Sequence, residues 1–134
     1  MRVVVAVGMI VHQQALLVTR KRTGLYFTLP GGKIEAGESP EEALIRELQE
    51  ELSITLAPGF AQAAGVFGAA AAHEAGHQVE AHVFRTPWPG VMAPAGEIEE
   101  VAWLPLAATP YLPIAPLIEE RILPLLRGDP AALA

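Results

Sequence analysis

Residues 39 to 54 read SPEEALIRELQEELSI, and the fold is decided by how this stretch is read. Ser39 suits an N-cap, Pro40 suits the first helical position, and Glu42, three residues after the cap, completes a capping box. The spacing therefore predicts a helix from Pro40 to about Leu52. Leu44, Ile45, Leu48 and Leu52 recur at helical intervals and form an apolar stripe that needs a core to face. Glu47, Glu50 and Glu51 occupy the adjoining face at i, i+3 and i+4. A Glu-rich helix is ordinarily a solvated surface with its charges opposite the core. Here the acids border the stripe, with Glu51 nearly on its edge, so part of the cluster is expected at the core boundary.

Outward from this helix the chain reads as strands. Val3 to Val11 and Ala15 to Thr19 are aliphatic runs separated by a short polar turn, which reads as a hairpin. Tyr26 to Leu29 is a third short strand, leading into a sharp Pro30-Gly31-Gly32 loop that glycine makes easy. Beyond the helix, Phe60 to Phe67 reads as a strand, and Glu74 to Gly76 as a turn. Alternation from Gln78 to Phe84 marks a half-buried strand. Val101 to Leu104 is a last strand, and Ala115 to Leu126 a closing amphipathic helix with Pro116 in its first turn and Pro124 near its end. Strands interleaved with two helices predict an α/β fold with a mixed sheet packed between helices.

The composition narrows the function. A length of 134 residues suits one domain over 1–134, and an apolar content of 51% suits an ordinary globular core. The absence of cysteine excludes disulfides, thiolate nucleophiles and cysteine-ligated metal centres. A net charge of −6 argues against a nucleic-acid polymer as partner. Met1-Arg2 followed by an apolar run superficially suggests a secretion signal, but no small-residue cleavage site follows and His12-Gln13-Gln14 interrupts it. No run approaches the length of a membrane span, so a cytoplasmic protein, not associated with membrane, is expected.

The acids are unevenly placed: 7 of the 15 acidic residues lie between Glu35 and Glu51. Like charges at i, i+4 repel, and Arg46, four residues from both Glu42 and Glu50, is one cation among many acids. A bound divalent cation would compensate the cluster. Magnesium takes oxygen ligands, keeps several waters and often bridges to phosphate, so an open cage of glutamates suits it and points to a polyphosphate substrate. Lys33, Arg20 and Arg22 are nearby cations for phosphate or base contacts, and Tyr26, Phe27 and Trp88 could flank a base. His12, His73, His77 and His82 lack zinc-like spacing, and His73 and His77 read as part of a mobile loop.

Gly32, Glu38, Arg46-Glu47-Leu48, Glu50-Glu51 and Ile54 stand at the spacing of the box G-x5-E-x7-R-E-U-x-E-E-x-G-U, where U is aliphatic. This pattern resembles that of the Nudix hydrolases, in their MutT-like form. Eight of nine defined positions agree, a coincidence on the order of once in 10⁸ at a given start. The resemblance implies an α/β/α sandwich that hydrolyses a nucleoside diphosphate derivative with magnesium or manganese. It implies that Glu47, Glu50 and Glu51 bind metal with Glu38 and the Gly32 carbonyl in support, and that Arg46 orients these glutamates. The general base is either a box glutamate such as Glu50 or a later acid. Glu97 is the first choice among later acids, with Glu99 and Glu100 as rivals. The small size resembles members that split nucleoside triphosphates into a monophosphate and pyrophosphate. Ala69 to Ala72 stand where markers of ADP-ribose or dinucleotide substrates are expected. A nucleotide sugar or dinucleotide substrate, or an inactive nucleotide-binding domain, is the alternative, and the assembly is expected to be a monomer or homodimer. The one departure is Ser53 in place of glycine. A left-handed residue there costs about 1 kcal/mol when it is not glycine.

Overall fold

The computed structural model describes residues 1–133. Seven strands form two sheets. The first sheet has the order β4-β1-β6-β5, from β1 (Arg2–Met9), β4 (Gly31–Lys33), β5 (Gln62–Ala70) and β6 (Gln78–Arg85). β1 runs parallel to β6 and antiparallel to β4, so this sheet is mixed. The second sheet is antiparallel and has the order β2-β3-β7, from β2 (Val11–His12), β3 (Ala15–Lys21) and β7 (Ile98–Pro105). Helix α1 (Pro40–Leu52) lies between β4 and β5 in sequence, and a helical stretch over 116–127 follows β7. Among the described residues no helix is long and apolar enough to cross a membrane.

The two-residue period of a strand explains how both sheet faces are filled. On β1, Ala6 and Ile10 just beyond it pack toward α1, while Val7 and Met9 pack toward the closing helix. On β3, Leu17 faces α1, and Leu16 and Val18 face the other way. Leu44, Leu48 and Leu52 of α1 are fully buried in the first layer, and Ile118, Ile122 and Leu126 in the second. Burying one such side chain stabilises the fold by roughly 1.5–3 kcal/mol. The expected mixed α/β class, with helices covering both faces, is the architecture found.

Several local expectations are corrected. Only Val11–His12 pairs with β3 in the expected hairpin, through Gln13 and Gln14, which both adopt positive φ (49° and 63°) as a type I′ turn requires. The rest of that first run, β1, belongs to the other sheet. Tyr26 to Leu29 is no strand: its pairing is limited to single bridges, Thr28 to Thr19 and Phe27 to Ile114. The glycine stretch is a strand and not a free loop. Gly31, at φ 142°, lies so close to β1 that a Cβ there would sit 2.1 Å from the Ala6 carbonyl oxygen. The closing helix is widened over Ile118–Ile122, where the Leu123 N–H donates to the Ile118 carbonyl five residues back, before α2 (Leu123–Arg127) resumes the α pattern. Pro124 accounts for this, because it has no N–H and its ring cannot sit against the carbonyl of Glu120 in a regular turn.

Helix α1 begins as the sequence predicts: Ser39 Oγ accepts from the Glu42 N–H at 3.1 Å, and the Glu42 carboxylate accepts from the Ser39 N–H at 2.8 Å. It ends on Ser53 in the left-handed conformation, φ 55° and ψ 31°. Replacing Ser53 by Gly should therefore raise stability by about 1 kcal/mol. An increased urea midpoint at unchanged slope is the expected result, and an unchanged or lower midpoint would remove the strain assigned to Ser53.

Candidate active site

Arg46 projects from the middle of α1 and gathers acids from three directions. Its Nε and Nη2 donate to the two oxygens of Glu38 at 2.7 and 2.9 Å. Nη1 donates to Glu47 at 2.7 Å, and Nη2 also donates to the Lys33 carbonyl at 3.1 Å. Glu50 and Glu35 lie farther from Nη1, at 3.5 and 3.7 Å. Glu42, at the helical spacing to pair with Arg46, serves the cap instead. The paired hydrogen bonds from Arg46 hold the Glu38 carboxyl down at about 2, helped by the backbone at Glu35, and Glu38 in turn raises the guanidinium pKa above its ordinary range.

Glu51 behaves oppositely. It is only 7% exposed, on the edge of the leucine stripe where the sequence places it, and its Oε1 accepts the Gly31 N–H at 3.2 Å. Burial pushes its carboxyl up to about 7, against the pull of that N–H and of Lys21, with Glu47 and Glu50 adding repulsion. Glu47 lies over Gly32, where any Cβ would meet its carboxylate at 2.6 to 2.8 Å. Gly31 and Gly32 therefore let the β4 backbone lie directly against α1. Glu50 is more than half exposed. Glu97 lies on the loop before β7, which is fastened to α1 by the Ala95 N–H donating to the Glu51 carbonyl at 2.8 Å.

Beside this junction an apolar cleft of about 170 Å³ opens between the first sheet and the closing helix, lined among others by Gly31, Gly32, Lys33, Tyr26 and His73. Of the aromatic and basic candidates, Lys33 and Tyr26 line it, whereas Phe27 is 3% exposed and part of the core. Arg20 is held by Glu100 and the Gly24 carbonyl, and Arg22, just beyond β3, pairs with Glu99 at 3.5 Å, so acids of β7 engage both. Trp88 stacks edge-on against Trp103 at 5.1 Å, outside the cleft. His73 lies in the loop between β5 and β6, where its Nε2 accepts the Leu25 N–H at 3.2 Å and its ring lies 5.7 Å from Tyr26.

Lys21 was not among the sequence candidates. It lines the cleft, acts electrostatically on Glu51, and lies 4.0 Å from Glu97. A register shift between Arg20 and Lys21 breaks the β3–β7 alternation there, so strand periodicity does not locate this side chain. Membership of the basic triplet Arg20-Lys21-Arg22 was the one available signal.

The NUDIX domain family model matches residues 1–126. The chain belongs to the Nudix family. It is 45% identical over 56 residues to an 8-oxo-dGTP diphosphatase of Escherichia coli K12, an alignment covering 38% of this chain and 43% of that relative. The chain thus spans under half the length of that relative. The crystal structure of a MutT NUDIX hydrolase from Burkholderia pseudomallei is 26% identical, with a TM-score of 0.73 over 92% of this chain and 95% of that one. A bifunctional NMN adenylyltransferase/ADP ribose pyrophosphatase from Francisella tularensis, solved with AMP and a manganese ion, shares the fold at 20% identity. Its TM-score is 0.64, over 96% of this Nudix chain and 42% of that one.

The box residues fit a divalent cation by the chemistry of their donors. Glu47, Glu50, Glu51, Glu38 and the Gly32 carbonyl offer hard oxygen and nothing softer. Among the described residues no three acidic or histidine side chains converge on one point, since Glu47 is turned onto Arg46 and Glu51 under Gly31. At Glu51, burial disfavours the ionised form more than the Gly31 N–H and Lys21 favour it, so a cation beside this carboxylate would be stabilising.

That charge carries a pH signature. A carboxyl raised from 4.5 to about 7 favours folding in its protonated form, so its contribution is complete below pH 4.5 and is lost as pH rises through 7. In chelator at pH 8, Glu51→Gln should therefore melt higher than wild type by about 3 °C or more, and the difference should vanish near pH 4. Equal melting at pH 8 would show that Glu51 is not a destabilised carboxylate.

Proposed function

We propose that the chain hydrolyses nucleoside triphosphates to a monophosphate and pyrophosphate, with magnesium as cofactor and manganese as an acceptable substitute. One observation carries this reading: the cleft opens onto the Gly31–Lys33 backbone, the same segment against which Glu47 and Glu51 pack. A base seated in the cleft therefore puts its phosphates beside the carboxylate helix. The net charge of −6 supports a small substrate over a nucleic-acid polymer. The manganese and AMP in the Francisella tularensis relative support the cofactor and the ligand class.

Glu47, Glu50 and Glu51 would hold the cation, with Glu38 and the Gly32 carbonyl in support. When bound, the ion neutralises phosphate charge and polarises the phosphorus. The chain's own residues do the remaining work. Lys21 and Lys33, at the junction of cleft and helix, pair with phosphate oxygens. Arg46 acts as a positioning residue: it fixes Glu38 and Glu47 and joins α1 to the Lys33 carbonyl. Glu50 and Glu97 are the candidates for the base that takes a proton from the attacking water. Both are more than half exposed. Glu99 and Glu100, on β7, are paired more closely with Arg22 and Arg20 than Glu97, on the loop before it, is with Lys21, which favours Glu97 among these later acids.

The test is product analysis over a panel of nucleoside triphosphates, nucleotide sugars and dinucleotides in magnesium. Release of monophosphate and pyrophosphate from triphosphates is the expected outcome, and no hydrolysis of any member in magnesium or manganese would overturn it. On the best substrate, Glu50→Gln and Glu51→Gln should each lose on the order of 10² in turnover, as for other preorganised electrostatic groups. Arg46→Ala should also turn over more slowly while its circular dichroism stays native. Folded Gln variants with wild-type rates would remove α1 from the chemistry.

A further inference from the structure

Glu97 sits in a turn that is built onto the end of the carboxylate helix. The Ile98 N–H donates to the Ala95 carbonyl at 3.2 Å and closes a four-residue turn with Gly96 and Glu97 at its centre. Gly96 has φ 60°, in the left-handed region that glycine enters without strain. The last carbonyls of a helix have no partner within it. Here the Ala95 N–H donates to the Glu51 carbonyl at 2.8 Å, and the Ala93 N–H to the Leu52 carbonyl at 2.9 Å. The segment 93–97 therefore satisfies the end of α1, and it does so closely: a Cβ on Gly96 would stand 3.4 Å from the Glu50 carbonyl oxygen.

Arg22 holds the turn from the other side. Its N–H donates to the Glu97 carbonyl at 2.8 Å, and its Nη2 donates to the Gly96 carbonyl at 3.3 Å. Its Nε lies 3.5 Å from Glu99, within β7. One guanidinium thus spans the turn and the strand that follows it, as a planar fork can and the point charge of a lysine cannot. The Glu97 carboxylate is left beside Lys21, at 4.0 Å, and Lys21 lines the cleft together with Gly31 and Gly32.

Building on the reading of Glu97 as the base, we infer that Arg22 and Gly96 are positioning residues: they fix the Glu97 turn on the end of α1 and so set its carboxylate relative to those of Glu50 and Glu51. Arg22 then acts on the reaction through Glu97 and not by contact with substrate. The effect is large enough to measure, because misplacing a reacting group by roughly 1 Å can cost about 10²-fold in rate.

The experiment measures kcat and KM of Arg22→Ala, Gly96→Ala, Glu97→Gln and the double variant Arg22→Ala/Glu97→Gln on the best triphosphate in saturating magnesium, with circular dichroism to confirm folding. Arg22→Ala and Gly96→Ala should each lower kcat by about 10-fold or more with KM within about twofold of wild type. Arg22→Lys, which keeps the charge and loses the fork, should stay slow. In the Glu97→Gln background, Arg22→Ala should cost less than about twofold more, because the group it positions is already gone. Should Arg22→Ala not fold, Gly96→Ala in the same background makes the same comparison. Losses that multiply in the double variant, a raised KM at unchanged kcat, or wild-type kcat in both Arg22→Ala and Gly96→Ala overturn the inference while leaving Glu97 as the base. Wild-type turnover in Glu97→Gln overturns the base assignment and the inference together, and the triphosphate reading then stands on Glu50.

Discussion

The guanidinium of Arg46 is the constraint around which this corner of the protein is arranged. Glu35, Glu38, Glu47 and Glu50 all lie within 4 Å of it, and two of them accept hydrogen bonds of 2.7 Å. Its planar fork engages both oxygens of Glu38 while another nitrogen holds Glu47, which a lysine ammonium could not do in one geometry. Without this cation the acids would repel one another and the segment 33–38 would lose its tie to α1. With it, the charge is distributed unevenly: Arg46 favours ionised Glu38, whereas Glu51, which Arg46 does not reach, has its burial only partly offset by the Gly31 N–H and Lys21.

The second constraint is steric and belongs to Gly31 and Gly32. Side chains at these positions would collide with the Ala6 carbonyl and with Glu47, respectively. The close approach they permit brings three layers to one place: the end of β1, the middle of α1 and the mouth of the cleft. The box pattern, read as a string, specifies Gly32 without saying why. The structure supplies the reason, which is distance.

Legibility from sequence followed the range of the forces involved. The α1 cap, the apolar stripe, the position of Glu51 at the core edge and the left-handed Ser53 are all local consequences of residues within one or two turns, and all are as read. The strand expected over Phe60 to Phe67 is β5, which starts two residues later and ends three later, because a run of small residues has little periodicity of its own. β1 could not be assigned to its sheet from its composition, since an aliphatic strand pairs equally well with either neighbour and the choice was made by β4 and β6. Lys21 was missed, and the partner of His73 could not be read, for the same kind of reason: a bulge re-aims one, and a contact 48 residues away in sequence fixes the other.

The sequence by itself determined the carboxylate helix, its capping, the glycines that must approach it and the absence of any thiol chemistry, because each is set by residue type at short spacing. Tertiary structure alone decided which acids are paired and which are left exposed or buried. Arg20, Arg22, Glu99 and Glu100 are equivalent charges on paper, yet the end of β3 and the strand β7 join them across the second sheet, while Lys21 and Lys33 line the cleft and Glu97 lies 4.0 Å from Lys21. Charges act over a few ångströms in space whatever their separation along the chain, so only the folded arrangement can assign them partners.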